Sequence, residues 1–451
     1  MKLTSRSLAT GLHPGRISIG LLLTLVLSSA AFASQEPAGS VSKEGVWITL
    51  GADAFEVLAD LEDLRYEPEA LDRVARYSGV VLTRVHSDDL PRLSAELHRT
   101  HQRCAGFIAH ASLEQARREM ARLAADRPTE APTGDYTIDQ MLLVQRLEAA
   151  IGKPQMLATI DHLSNDFNNR YHANPAGLAA AEWIRDQWSG LAAGRPDVTV
   201  ELYQHSATSQ PSVILTFDGV GLPGEVVVLG AHLDSVSFDG GDSGDPGYLA
   251  PGADDDASGI AVLSEVIRVA MVENFRPDRT VQFIGYAAEE VGLVGSGEIA
   301  AAYQAAGVNV TAVLQLDMTA YFGSVQDIGV LSEAWTDSAL TSFVTDLIDF
   351  YQPELTWATT ACGYACSDHA SWDAQGYPAA MSFESLFGQH NPEIHTTDDT
   401  LTTLGDSVDH AYKFARLAAA FMAEVAKEGA GDIFADGFET GTTDAWSVVV
   451  P

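Results

Sequence analysis

Pro251-Gly252-Ala253-Asp254-Asp255-Asp256-Ala257-Ser258-Gly259 leads directly into the apolar run Ile260-Ala261-Val262-Leu263. Three acids are crowded before the helix instead of being scattered along a solvated face. Carboxylates packed this tightly repel one another, so a positive centre is expected between them. Upstream, the run Val226-Val227-Val228-Leu229-Gly230-Ala231 ends in His232-Leu233-Asp234. A short, continuously apolar strand, a polar turn and a helix make the repeating unit of a parallel sheet covered on both faces.

The same unit recurs outward from this point. Apolar runs at 225–231, 280–286, 312–316, 327–331 and 378–383 alternate with helical patterns at 257–274, 293–306, 336–351 and 406–427. Helical segments near 136–152, 154–166 and 176–192, then a β-rich pair at 198–205 and 212–218, precede them. Residues 135–428 are therefore expected to form a three-layer α/β/α sandwich with a mixed, mainly parallel sheet.

Polar residues fall where such a fold binds ligands. His232 and Asp234 follow one apolar run, Glu289 and Glu290 another, Asp317 a third, and His395 lies beyond Phe383. In open α/β sheets the carboxyl ends of the strands converge on the ligand crevice. Each residue alone has a bland reading, as a hydrogen-bonded histidine or a solvated helix start. Their joint occurrence at successive strand ends points to a metal. Two imidazoles with three or more carboxylates suit zinc, with cobalt or manganese as substitutes. Five ligands exceed one tetrahedral zinc with an open position but fit two zincs sharing a carboxylate, roughly 3.5–4 Å apart. Asp234 is placed to accept the second imidazole N–H of His232.

Composition sets the context. The 451 residues are 46% hydrophobic and 20% charged, with a formal net charge of −36. That balance argues against nucleic acid or an anionic membrane as partner, because both need a basic footprint. The charge is uneven: residues 1–134 hold 15 Lys+Arg against 17 Asp+Glu, and the remainder 11 against 45. Lys2, Arg6 and Arg16 precede an apolar run from Ile17 to Leu27, and small residues end at Ala31-Phe32-Ala33. This reads as a secretory signal over 1–33, cleaved before Ser34.

Residues 34–134 then form a small α/β module with strands at 46–50 and 80–85 and helices at 89–100 and 112–125. The Pro/Thr-rich stretch 127–134 closes it as a linker. No metal-ligand or catalytic constellation appears in it. Its place between signal and linker suggests a prosegment that aids folding or blocks the active site, and the alternative is a permanent accessory domain. Cys104 stands alone, whereas Cys362 and Cys366 are four apart. In an exported chain that pair reads as a tight disulfide ahead of a metal site. Residues 429–451 are a Gly/Asp-rich tail without helical periodicity.

The motifs His232-Leu233-Asp234-Ser235, Gly252–Gly259, Ala288-Glu289-Glu290-Val291-Gly292-Leu293, Gln315-Leu316-Asp317-Met318, Cys362–His369 and Ile394-His395-Thr396-Thr397 occur in that order. Together they resemble the secreted bacterial leucyl aminopeptidases of the M28 zinc peptidase family, over about 135–428. The resemblance implies that Asp255 bridges two zincs, His232 and Asp317 completing one and Glu290 and His395 the other. Glu289 would be the general base and acid, serving a metal-bridging water as nucleophile. Cys362–Cys366 would be a disulfide shaping a substrate pocket lined by Met318, Leu331, Tyr364, Met381, Phe383, Phe387 and Ile394. Such a lining favours Leu and other large apolar residues at the free N-terminus of a peptide, acted on by a monomer. His390 departs from the pattern, standing where relatives in that family carry Tyr.

Other readings are weaker. Gly241-Asp242-Ser243-Gly244-Asp245-Pro246 looks like a serine-protease motif, but that fold is all-β and needs an upstream histidine segment. No G-x-S-x-G elbow is present. Zinc carboxypeptidases of related design insert a domain between the last two ligands, and here only helix, strand and pocket loops lie between Asp317 and His395. A glutaminyl-cyclase-like acyl transferase shares the scaffold, yet an intact two-metal set argues for hydrolysis. A binding module without catalysis fits least, since the ligands and Glu289 are all present.

Overall fold

The central strand β6 (Leu222–His232) pairs in parallel with β7 (Arg279–Tyr286) on one side and β8 (Asn309–Leu316) on the other. The sheet continues from β8 through β11 (Ala379–Phe383), β9 (Ile328–Leu331) and β10 (Trp357–Thr360). Beyond β7 it ends in β5 (Ser212–Phe217) and β4 (Val198–Tyr203). β8–β11 and β9–β10 are parallel, whereas β9–β11, β5–β7 and β4–β5 are antiparallel. The mixed, mainly parallel sheet expected from the sequence is the one formed. The computed structural model describes residues 45–61, 79–101, 103, 106–124 and 136–429. The proposed signal, the linker, Cys104 and all but the first residue of the tail lie outside them.

Strand periodicity sorts side chains between two layers. Val227 and Leu229 enter the large core with α4 (Met141–Ala150), α5 (Lys153–Asp161), α6 (Pro175–Leu191), α7 (Ala257–Val272), α9 (Ser338–Tyr351) and α11 (Ala411–Ala426). Val226 and Val228 face the opposite way, towards Ile299 and Ala300 of α8 (Val294–Ala306) and Trp372 of α10 (His369–Ala374). α7 is apolar nearly all round because it lies inside the large core.

Local chemistry starts and stops these helices. Asn174 caps α6 with Pro175 in its first turn, and Asp337 caps α9 by accepting from the Leu340 amide. α8 ends where Gly307 turns left-handed. The first expected helix is shorter than 136–152, since Tyr136–Gln140 form no helical turn and are held against the body. There the Glu424 carboxylate accepts the amides of Asp139 and Gln140. β10 was not foreseen; its four residues are partly exposed and carry little strand pattern.

The N-terminal module has its own antiparallel sheet, β2 (Val80–Val85), β1 (Val46–Gly51), β3 (Phe107–His110). It carries α1 (Ala52–Asp60), α2 (Leu90–His101) and α3 (Leu113–Ala124). β3 and α1 escaped the sequence reading. The module shares a core with the body, in which Val80, Leu82, Ile108 and Met120 meet Leu293, Trp335 and Ala370. Among the described residues no helix is long and apolar enough to cross a membrane.

Candidate metal centre

The connections that follow the carboxyl ends of four strands, β6, β7, β8 and β11, bring His232, Asp255, Glu290, Asp317 and His395 into one buried cluster. His232 Nε2 lies 2.8 Å from Asp255 Oδ1 and 3.6 Å from Asp317 Oδ1. His395 Nε2 lies 3.0 Å from Asp255 Oδ2 and 3.0 Å from Glu290 Oε2. Asp255 thus turns one oxygen to each imidazole, the posture of a bridging carboxylate. Donors around a tetrahedral zinc with bonds of about 2.0–2.1 Å stand about 3.3 Å apart, so these spacings suit ions shared among them.

Electrostatics point the same way. Burial alone would raise the Asp255 pKa, but hydrogen bonds from His232 and His395 hold it well below the usual carboxylate range. Burial opposes charge on His232, yet Asp317, Asp234 and Asp255 together push its pKa well above the ordinary value. Burial pushes Glu290 up to about 7, against the pull of His395. Burial also raises Glu289 well above its usual range, with His232 opposing and Glu290 adding. Both carboxylate oxygens of Glu289 and of Glu290 are buried without a hydrogen bond. So many buried acids with so few cations call for positive charge from outside the chain.

The acidic turn divides its labour. Asp256 accepts the amides of Gly259, His232 and Met318, and so caps α7 while binding two strand ends. Asp254 accepts the Ala320 amide. Only Asp255 faces both imidazoles. The peptide between Asp255 and Asp256 is cis. Asp234 Oδ1 lies 3.4 Å from His232 Nδ1, and its two oxygens accept the amides of Glu289 and Glu290. One carboxylate therefore orients a ligand histidine and the glutamate turn together. Ala288, Leu293, Met318 and His395 all adopt left-handed backbone beside or within ligand segments, a strain the surrounding bonds must hold.

Three supporting residues were missed from sequence. Arg170 is fully buried and donates to the carbonyls of Leu163, Leu233, Pro251 and Gly252, tying the end of β6 to the acidic turn. Burial lowers its pKa to about 10. An arginine in Asn169-Arg170-Tyr171 gives no sequence signal of this. Asp399 accepts the amides of Asp254 and Asp255, and the acidic pair at 398–399 beside His395 was a readable hint. His98 of α2 places Nδ1 2.7 Å from His395 Nδ1, and it sits in a segment without any metal-ligand motif. Burial and the neighbouring His395 hold the His98 pKa down to about 3.

Beside the cluster lies a narrow apolar pocket, walled by Met318, Leu331, Tyr364, Met381, Phe383, Phe387 and Ile394, with Asp317, Cys366 and His390. Every side chain expected to line a pocket is in that wall. Cys362 and Cys366 are disulfide-bonded, which puts Cys366 in a fixed position there. Glu333, Cys366 and His369 also group closely, but the sulfur is already committed to the disulfide. His390 stacks obliquely on Phe387, with ring centroids 5.1 Å apart, at the pocket wall.

Helix α2 and the residues after it meet this region from the module. Ser94 Oγ donates to the Glu290 carbonyl at 2.7 Å, and the His98 ring also lies 5.0 Å from that of Phe238. The Arg103 guanidinium sits 4.8 Å over the Tyr364 ring, at the pocket wall.

The model of peptidase family M28 matches residues 212–422. Leucine aminopeptidase 1 of Fusarium vanettenii is 36% identical over 296 residues, 62% of this chain and 72% of that protein. The LapA aminopeptidase of Legionella pneumophila superposes with a TM-score of 0.70 at 27% identity, over 86% of this chain and 100% of that one. BSAP, a zinc aminopeptidase from Bacillus subtilis, shares the fold with a TM-score of 0.50 at 16% identity, over 62% of this chain and 96% of that one.

Proposed function

The chain belongs to peptidase family M28 and is a metallo-aminopeptidase, and from that premise we propose that it is a two-zinc enzyme, exported as a precursor, that removes Leu and other large apolar residues from peptide N-termini. One observation carries the reading: Asp255 stands between two imidazoles, each completed by a further carboxylate. His232 and Asp317 would hold one zinc, Glu290 and His395 the other, and Asp255 both. When bound, the zincs lower the pKa of attacking water and polarise the scissile carbonyl.

The chain's own residues do the rest. Glu289 is buried beside the cluster with both oxygens unbonded, so it can take the proton of the attacking water and return it to the leaving amine. Asp234 holds the Glu289 amide and so fixes where that carboxylate points. The apolar cavity receives the side chain to be released. Its aromatic and Met lining supports a preference for Leu, Met or Phe, though one methylene changes selectivity by only ~1–3 kcal/mol.

Export rests on the sequence pattern at 1–33, and restraint by the module on two contacts. His98 lies against His395, and Arg103 lies over Tyr364, so the module spans from the metal cluster to the pocket wall. Peptides need to bring a free amine into this cleft, and covering it would hold the precursor inactive until the linker at 127–134 is cut.

Purified protein nicked in the linker should hydrolyse leucine amides, spare N-blocked leucine amides, and stop when a chelator strips the metal. Cleavage of the blocked amide at a similar rate would overturn the exopeptidase assignment.

A further inference from the structure

Among the described residues the module touches two of the five candidate ligands, and both lie in the same half of the cluster. Ser94 Oγ donates to the backbone oxygen of Glu290, and His98 meets His395. Ser94 and His98 are four residues apart in α2, hence on one helix face. The Ala109 amide donates to the Gly292 carbonyl, two residues past Glu290, at 3.1 Å. Phe107 packs on Gly292 so closely that a Cβ there would come within 2.3 Å of its ring, so this turn is shaped to the module.

His395 turns Nε2 to Asp255 and Glu290 and leaves Nδ1 outward. A histidine that binds metal through one ring nitrogen carries its proton on the other, and an acceptor there fixes tautomer and ring angle. For His232 the body itself places a carboxylate beside that nitrogen, Asp234, 3.4 Å from Nδ1. For His395 the group at Nδ1 is the imidazole of His98, on a separate module. His395 also has left-handed backbone, with its carbonyl bonded to the Phe238 amide. Among the described residues no hydrogen bond joins the module to His232 or Asp317.

We propose that the N-terminal module is an assembly clamp for one metal half-site: His98 is a positioning residue that holds His395 in its metal-accepting tautomer, while Ser94 steadies the Glu290 turn. The inference rests on the two-zinc reading above. It adds that the precursor closes the Asp255–Glu290–His395 half with borrowed side chains, whereas the His232–Asp317 half is self-sufficient. The two zincs should therefore be held similarly in the intact chain and unequally once the module leaves.

The test uses the intact chain, stripped of metal and titrated with Zn²⁺ against a chromogenic chelator. Wild type should take up two tight equivalents. H98A should keep one and hold the second about 10- to 100-fold more weakly, the usual cost of losing an outer partner of a ligand histidine. H98N offers an oxygen where Nδ1 stood and should restore the second equivalent. Limited proteolysis checks that the module stays docked, and S94A gives an independent, smaller loss at the same half-site. Two equivalents unchanged by H98A would overturn the clamp, as would equal losses in H98A and H98N. Fewer than two equivalents in the wild type would instead overturn the two-zinc reading.

Discussion

The module and the body solve different problems with different sequence. In the body, apolar strands end in acids and histidines, so chemistry and core are written side by side in one repeating unit. In the module, the strands and amphipathic helices carry no ligand motif, yet α2 delivers a histidine to a candidate ligand. The body holds most of the acidic excess, and the module meets part of it with Arg122, which pairs with the buried Asp373. A segment empty of motifs can still complete a site when docking brings its side chains there.

The largest effect should come from the body alone. Glu289→Gln should retain both zincs, because Glu289 is not among the assigned ligands, yet lose roughly 10²–10⁴-fold in turnover. Near wild-type turnover in a zinc-replete variant would move the proton transfer elsewhere. Next comes the module's hold on the cleft. Cutting the linker and separating the pieces should raise leucine-amide turnover by on the order of tenfold, within the usual range of coupling between sites. Equal rates before and after separation would leave the module a folding aid.

Docking itself should be sensitive to Glu119. This buried carboxylate accepts Thr49 Oγ1 and the Trp335 indole N–H and lies beside His110, linking the module to the body. Glu119→Ala strands those donors and should cost about 1–3 kcal/mol, read as a lower melting temperature or easier proteolysis of the module. Burial opposes its charge, but hydrogen bonds from His110, Thr49 and Trp335 lower its pKa below 4.5. A depressed carboxylate contributes stability that is complete above its ordinary value and lost as pH falls through the folded one. Docking should therefore weaken as pH falls below about 4.5, the ordinary value, and Glu119→Gln should flatten that dependence. The smallest change should follow reduction of Cys362–Cys366. So short a loop restrains the unfolded chain by about 2 kcal/mol, so the protein should stay folded with a looser pocket and altered preference among Leu, Met and Phe. An unchanged preference would show that the disulfide does not shape the wall.

Legibility followed the same division. Runs such as Val226–Ala231 declared buried strands, and their polar ends gave the sheet edge where the cluster forms. The pocket wall came from the family resemblance rather than from periodicity, because Leu331, Tyr364 and Ile394 converge only in the folded chain. Arg170 and His98 were not legible, since each acts through backbone groups or a ligand distant in sequence and no local pattern records such a partner, whereas Asp399 left the acidic pair beside His395 as a hint. The short β3 and β10 were missed because four residues offer too little alternation to count. The excess length given to the first helix came from residues whose amides are held by Glu424, a tertiary contact that overrides local preference.

The central claim is that two ions sit on either side of Asp255. Anomalous diffraction at the zinc edge from crystals of the zinc-loaded protein tests it most directly. Two peaks are predicted, one among His232, Asp255 and Asp317, the other among Asp255, Glu290 and His395, with Glu289 coordinating neither. A single peak, or a peak bound by Asp256 in place of Asp255, would contradict it.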